Sequence, residues 1–130
     1  MPLKIIVVKK QEGVFIVSPI GEIDSTTYAE LEEKLAPILV PATKVLVFNM
    51  EGVNYISSMG ISAILKSNKT IGEQGNIFLM TNLQPQIKMA FEIIKALPEI
   101  QVFRNLEEVD NYLIEMQRRE IKKQKGSPEA

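Results

Sequence analysis

The stretch with the clearest chemical potential is NYISSMGIS, residues 54–62, where two adjacent serines and a glycine separate a strand-like run from a helix-like run. A serine N-cap stabilises a helix by about 1 kcal/mol, so Ser57 or Ser58 could cap a helix that starts near Met59. The same hydroxyl lies beside free N–H groups and the positive end of the helix dipole, where a phosphate is readily accommodated. Phosphorylation there would add about −1.5 to −2 charges and change the fold little. The stretch is therefore either an ordinary helix cap or a charge switch.

Nucleophilic catalysis by these serines is disfavoured by what the chain lacks. It contains no histidine and no cysteine. This composition excludes a Ser-His-Asp hydrolase, a thiol nucleophile, a disulfide framework and thiolate metal sites. The remaining enzyme hypothesis needs a carboxylate such as Asp24, and we expect a protein that is not an enzyme and holds no metal or cofactor.

Length and charge point to one ordinary globular domain. The 130 residues are 45% hydrophobic and 24% charged, enough for a core without disulfides or metals. The net charge of −1 gives no field that would attract nucleic acid or an anionic membrane. No apolar run approaches the roughly 20 residues of a transmembrane helix, and no signal peptide is visible. We therefore expect a cytoplasmic protein.

The apolar patterns predict an α/β fold in the order β-β-α-β-α-β-α-β-α. An opening hairpin followed by alternation predicts a mixed, mostly parallel sheet with about four helices packed on it. Asn105 and Glu108 resemble a capping box at the start of the last helix. Residues 51–54 read as a turn. The predicted strands cover residues 3–8, 14–21, 44–50, 76–80 and 100–103.

Binding sites in such sheets tend to lie at strand-to-helix loops, and residues 54–60 form one of them. Gly60 is expected to permit close packing of the following helix against the sheet. Met59 is either a partner contact or the first core-facing residue of that helix, and its position favours the second. Three residues are candidate N-caps of the first helix: Asp24, Ser25 and Thr26. Tyr55 is expected at the sheet edge, and Phe15, Phe48 and Phe78 in the core.

Two motifs resemble those of STAS domains, the family of the anti-sigma factor antagonists. The first is the family's phosphorylation loop, aromatic-Ile/Met-Asp-Ser-Ser/Thr-Gly-aliphatic, matched here by Tyr55, Ile56, Ser58, Gly60 and Ile61. The second is the family's Gly-Glu-Leu/Ile-Asp segment, matched by Gly21, Glu22, Ile23 and Asp24. The chain departs from the first pattern at two positions. Ser57 stands where the family has Asp, and Met59 where it has Ser or Thr.

The resemblance implies a STAS fold and partner switching. The unphosphorylated protein would bind an anti-sigma factor serine kinase and free a sigma factor. Phosphorylation of Ser58, with Ser57 as the alternative acceptor, would release the kinase, and a PP2C-type phosphatase would reset the system. The implied partner-binding residues are Asp24, Ser25, Tyr55, Ser57, Met59, Gly60 and Ser62. The alternative is a structural STAS subunit, without regulated phosphate, in a lipid-transport or stress-signalling complex.

The end of the chain differs from the rest in composition. Residues 118–125 carry five Lys or Arg against one Glu, and their apolar face is lost. We therefore predict a STAS domain over residues 1–117 and a basic, disordered tail over residues 118–130. No aromatic residues interleave with these charges, so we expect no direct contact with nucleic acid. We also expect a monomer or a weak dimer.

Overall fold

The computed structural model describes residues 3–95 and 100–126. Within these ranges the chain forms one sheet of six strands, four α-helices and a 3₁₀ turn at Ala36–Ile38. The strands are β1 (Lys4–Gln11), β2 (Val14–Ile23), β3 (Val45–Asn49), β4 (Val53–Ile56), β5 (Ile77–Thr81) and β6 (Gln101–Phe103). The helices are α1 (Tyr28–Leu35), α2 (Ser58–Glu73), α3 (Pro85–Ile93) and α4 (Leu106–Gly126).

The sheet has the order β1-β2-β3-β5-β6, with β4 attached beside the end of β2. β1 and β2 form the predicted antiparallel hairpin, and the other pairs are parallel. β2 changes partner along its length: residues 14–17 pair with β3, whereas residues 21–23 pair with β4. Gly21, with a φ of 121°, lies where the second pairing begins, in a backbone region that favours glycine. The sheet is thereby divided into a main part and a short annex, which is formed by β4 and residues 21–23 of β2.

The central strands are buried on both faces, as their continuous apolar runs predict. In β3, Leu46 and Phe48 face the core shared with α1, α2 and α3, whereas Val45 and Val47 face the core shared with α4. Phe48 packs on Phe78 with ring centroids 5.3 Å apart. Each such fully buried side chain contributes roughly 1.5–3 kcal/mol. Three helices therefore cover one face of the sheet, and α4 covers the other.

The predicted fold class is confirmed, with two local corrections. Residues 53–56 form β4, whereas the sequence predicts a turn through residue 54 and a loop from there to residue 60. Phe15 is only partly buried, because β2 is covered incompletely near its start, whereas Phe48 and Phe78 lie in the core as predicted.

The two last helices also differ from the predicted pattern at their ends. Helical spacing from Ile87 and Phe91 predicts that the helix extends to Leu97. α3 ends at Ile93, and Leu97 lies outside the described residues. α4 continues to Gly126, beyond the predicted end of the domain at residue 117. The division into a domain and a tail stays a prediction. Among the described helices, none combines the length and apolar character that crossing a membrane requires.

Candidate functional site

The predicted serine loop lies at the junction of β4 and α2, beside the turn that follows β2. The backbone N–H of Ser57 donates to the carbonyl of Ile23, the last residue of β2, at 2.9 Å. β4 places the two segments together, since Glu22 pairs with Tyr55 and Ile23 pairs with Ile56. The two motifs found in the sequence, 30 residues apart, therefore meet at one end of the annex.

The structure gives the two serines different positions. Ser57 is the N-cap of α2: its backbone is extended, and its Oγ accepts from the N–H of Gly60 at 3.3 Å. Ser58 is the first helical residue, and its side chain is exposed. The first turn of α2 contains no acidic residue. The capping prediction is thus confirmed for Ser57, which leaves the Ser58 hydroxyl at the positive end of the helix dipole.

Gly60 brings α2 against the annex. A Cβ at this position would lie 2.6 Å from the carbonyl oxygen of Ile23 and 2.8 Å from side-chain carbons of Ile23 and Ile56. Distances below 3.0 Å are sterically forbidden for a real Cβ, so only glycine fits without a shift of the helix. The predicted close packing is confirmed. Gly60 is buried, so its effect on the surface is to set the position of Ser58 and Met59.

Asp24 organises the turn that precedes α1. Its Oδ1 accepts from the N–H of Thr26 at 2.9 Å, the hydroxyl of Thr26 at 2.7 Å and the N–H of Thr27 at 3.1 Å. These hydrogen bonds lower the pKa of Asp24 below its ordinary value, and the bond from the Thr26 hydroxyl has the largest effect. The buried Thr27 hydroxyl donates to the carbonyl of Glu22 at 2.8 Å, which fixes the turn to β2.

The helix that follows does not use the predicted caps. α1 begins at Tyr28, and Thr27 occupies the N-cap position without a side-chain capping bond. Asp24 satisfies N–H groups of the turn before the helix, because residues 25–27 form that turn and not the first helical turn. The predicted N-cap role of Asp24, Ser25 and Thr26 is therefore wrong, although Asp24 does accept backbone N–H groups at this junction.

The predicted partner residues, apart from Gly60, are at least partly exposed. Tyr55 is 51% exposed and Met59 is 42% exposed. The preferred interpretation of Met59 as a core-facing residue is wrong, because the first buried residues of α2 are Gly60 and Ile61. Ser25 and Ser62 are exposed, and Asp24 and Ser57 are half-buried.

The sequence did not identify the contribution of α3 to this end of the molecule. The side-chain amide of Gln86 donates to the backbone carbonyl of Asn54 at 3.1 Å. The side-chain amide of Gln84 donates to the backbone carbonyl of Glu51 at 2.8 Å. On α3, Met89 is 59% and Ile93 73% exposed. Because these hydrogen bonds join residues more than 30 positions apart, no local sequence pattern predicts them. The available signal in the sequence was that the apolar residues Met89 and Ile93 lie off the core-facing spacing of α3.

The site is an exposed surface. It offers hydroxyls, one carboxylate and two large apolar side chains, and the chain supplies no histidine or cysteine to it. In the part of the chain that the structure describes, no group of acidic residues is placed to hold a metal ion. The arrangement is suited to contact with another macromolecule and to modification of an exposed hydroxyl.

Comparison with known proteins matches the chain to one domain family. The model of the STAS domain family matches residues 6–109. The anti-sigma-B factor antagonist of Staphylococcus aureus is 29% identical over 83 residues, which cover 64% of this chain and 77% of that protein.

Two solved structures with similar folds represent one protein in two covalent states. The anti-sigma factor antagonist SpoIIAA in its unphosphorylated form superposes with a TM-score of 0.69 at 13% identity, covering 86% of this chain and 98% of SpoIIAA. The Bacillus cell fate determinant SpoIIAA in its phosphorylated form gives 0.67 at 14% identity, covering 84% and 99%. At these identities the likeness concerns the fold.

Proposed function

This chain belongs to the STAS domain family, and on that premise we propose that it is an anti-sigma factor antagonist that acts by partner switching. The unphosphorylated protein binds an anti-sigma factor that is a serine kinase, and a sigma factor is released. The kinase phosphorylates Ser58, the charged protein dissociates, and a PP2C-type phosphatase restores the first state. The similarity to the S. aureus antagonist and to SpoIIAA supports this role.

The observation that carries the proposal is the difference between the two serines. Ser57 Oγ is engaged by the N–H of Gly60 and is half-buried, whereas Ser58 is exposed at the first position of α2. A phosphate on Ser58 would meet the positive end of a helix whose first turn has no carboxylate. The fold can therefore carry the modification, and Ser58 is the preferred acceptor over Ser57.

Charge explains how such a modification would release a partner. A phosphate placed in an interface without complementary groups must be desolvated, at a cost of several kcal/mol. About 1.4 kcal/mol already lowers affinity tenfold. The exposed Tyr55 and Met59 flank Ser58 in the sequence and supply apolar contact area, while the Asp24 turn, bonded through Ile23 to Ser57, supplies polar groups. The proposed interface comprises Asp24, Ser25, Tyr55, Ser57, Met59, Gly60 and Ser62.

The test is binding to the anti-sigma factor kinases encoded in the same genome, measured by calorimetry before and after incubation with ATP. We expect wild type and Ser58→Ala to bind one of them and Ser58→Asp to bind at least tenfold more weakly. Peptide mapping should find phosphate on Ser58 in wild type and in Ser57→Ala, and none in Ser58→Ala.

Asn111→Asp is the control, because it adds a negative charge on an exposed residue of α4, on the opposite face of the sheet from α2, and it should leave binding unchanged. Equal binding by wild type and Ser58→Asp would refute the switch and favour a structural STAS subunit without regulated phosphate. We also propose that the protein is a cytoplasmic monomer or weak dimer. It has no cofactor and makes no direct contact with nucleic acid or membrane.

A further inference from the structure

A cavity bordered by described residues lies away from the serine loop, between α3, β6 and the start of α4. Its volume is about 830 Å³, within the roughly 300–1,000 Å³ of small-molecule sites. Its apolar wall is formed by Leu83, Ile100, Val102 and Phe103. None of the proposed partner-binding residues lines it. Val102 is 40% exposed on the short edge strand β6, so part of this apolar wall is open to solvent.

The rim of the cavity carries an excess of positive charge. Lys88, Glu92 and Lys95 lie along one side of α3 and its C-terminal end, and Arg104 and Glu108 lie at the start of α4. Arg104 Nε is bonded to Glu108 Oε2 at 2.9 Å, so this pair is internally neutralised. Within residues 3–95 and 100–126, no carboxylate lies within 4.0 Å of the Lys88 or Lys95 ammonium. With Glu92 counted, the described lining residues have a net charge of +1.

Lys95 occupies a backbone conformation that usually belongs to glycine. It follows the last turn of α3 with a φ of 57°, and its N–H donates to the carbonyl of Glu92 at 3.0 Å. A non-glycine residue in this conformation is strained, and such residues cluster at functional sites. A glycine would terminate the helix with less strain. The lysine cation suits the negative end of the helix dipole, and its side chain also lies on the cavity rim.

We propose that this cavity binds an amphiphilic monoanion, an unbranched aliphatic chain with a carboxylate head. The chain packs against Leu83, Ile100 and Val102, and the head lies between the ammonium groups of Lys88 and Lys95. A net rim charge of +1 matches a carboxylate better than a dianionic phosphate. The site is separate from the Ser58 surface and does not depend on the proposed function.

The experiment is titration of the full-length protein with sodium dodecanoate below its micelle concentration, followed by calorimetry and by NMR shifts of the Val102 and Ile100 methyl groups. Dodecanol is the matched ligand, with the same chain and no charge. We expect saturable dodecanoate binding that shifts both methyl groups, with dodecanol binding at least about twofold more weakly, as expected for loss of an exposed ion pair.

Two variants separate the ligand role of the lysines from the stability of the fold. Lys95→Gly removes the cation and relieves the backbone strain, so it should weaken dodecanoate binding about two- to fivefold without lowering the denaturation midpoint. Lys88→Met should weaken binding to a similar extent, and the exposed helical lysine in Lys69→Met should leave it unchanged.

Three outcomes would overturn the proposal: no saturable binding, equal binding of dodecanoate and dodecanol, or loss of affinity in Lys69→Met equal to that in Lys88→Met. Phosphatidylcholine vesicles that contain oleic acid test a membrane-held source of the same carboxylate chemistry. Binding to vesicles without binding of free dodecanoate would also overturn the cavity assignment, because it would show a surface effect.

Discussion

The starts of α2 and α4 solve the same physical problem in opposite ways. Each follows a strand, and each begins with a polar cap: Ser57 Oγ accepts from Gly60, and Asn105 Oδ1 accepts from Glu108 at 3.0 Å. α4 then fills its first turn with Glu107 and Glu108, whereas α2 has no acidic residue there. One helix dipole is neutralised by the protein itself, and the other is left for a group added later.

The two junctions also differ in how closely they pack. α2 lies directly on the annex through Gly60, while α4 begins on the exposed Arg104–Glu108 pair. A junction that is tightly packed but electrostatically incomplete is suited to modification, because its position is fixed and a new charge is tolerated. At the start of α4 the acidic residues already occupy the positive end of the dipole, so an added anion would gain less there. Substitutions can test this contrast.

The largest expected effect is that of Gly60→Ala. The added Cβ would clash with the carbonyl of Ile23, and overpacking of this kind costs about 3 kcal/mol. Urea denaturation should show this loss in the free energy of unfolding. Gly72→Ala is the control in the same helix, since its Cβ meets nothing within 4 Å and should stabilise by up to about 1 kcal/mol. Equal effects of the two substitutions would show that α2 does not pack on the annex as described.

Next in size are the two caps. Ser57→Ala and Asn105→Ala should each lower the free energy of unfolding by about 1 kcal/mol, because each leaves one helical N–H without its side-chain acceptor. Ser58→Ala, at the neighbouring exposed position, should change stability by less than about 0.5 kcal/mol. A larger loss in Ser58→Ala than in Ser57→Ala would reverse the assignment of cap and acceptor.

Charge at the helix starts should have a smaller effect, of opposite sign at the two junctions. Ser58→Asp should raise the free energy of unfolding by about 0.5 kcal/mol at low salt, and Glu107→Gln should lower it by a similar amount. Both effects should shrink at 1 M salt, where screening is strong. A destabilising Ser58→Asp would mean that the start of α2 does not accommodate an anion.

The smallest effect concerns acid titration. Hydrogen bonds from Thr26 lower the pKa of Asp24, and those from the backbone and side chain of Arg104 lower that of Glu108. A folded pKa below the unfolded one contributes stability that is complete above the unfolded value, near 4, and is lost as the pH falls through the folded value. Carboxyl NMR titration should place both below their ordinary values, and Thr26→Val should raise the pKa of Asp24. An unchanged Asp24 titration in Thr26→Val would contradict the described turn.

The sequence predicted the elements that have strong local patterns. Val45–Asn49 and Ile77–Thr81 are continuous apolar runs, and Ser58–Glu73 carries a helical apolar face, so each formed where the pattern places it. β4 was missed because its four residues have too short a pattern, and its pairing depends on the end of β2, some 30 residues earlier. The caps of α1 were predicted wrongly, because the Asp24 carboxylate can accept backbone N–H groups in a turn as well as at a helix N-cap.

At the candidate site, residue types predicted the location but not the division of roles. Ser57 and Ser58 are chemically equivalent, and only the extended backbone of Ser57 decides that it accepts from Gly60. The close approach at Gly60 was predicted from its place beside a strand, and the structure confirms it. The exposure of Met59 was not predicted, because helical periodicity does not fix which residue of a first turn faces the core.

The change of partner along β2 has a consequence for local stability. The annex rests on three residue pairs between β2 and β4, whereas β3 and β5 share five. Elements with fewer backbone bonds open at lower free energy than the sheet they are attached to. We therefore expect the amide hydrogens of β4 to exchange before those of β3 and β5. Ser58 needs no such opening to meet an enzyme, because it is exposed in the closed structure.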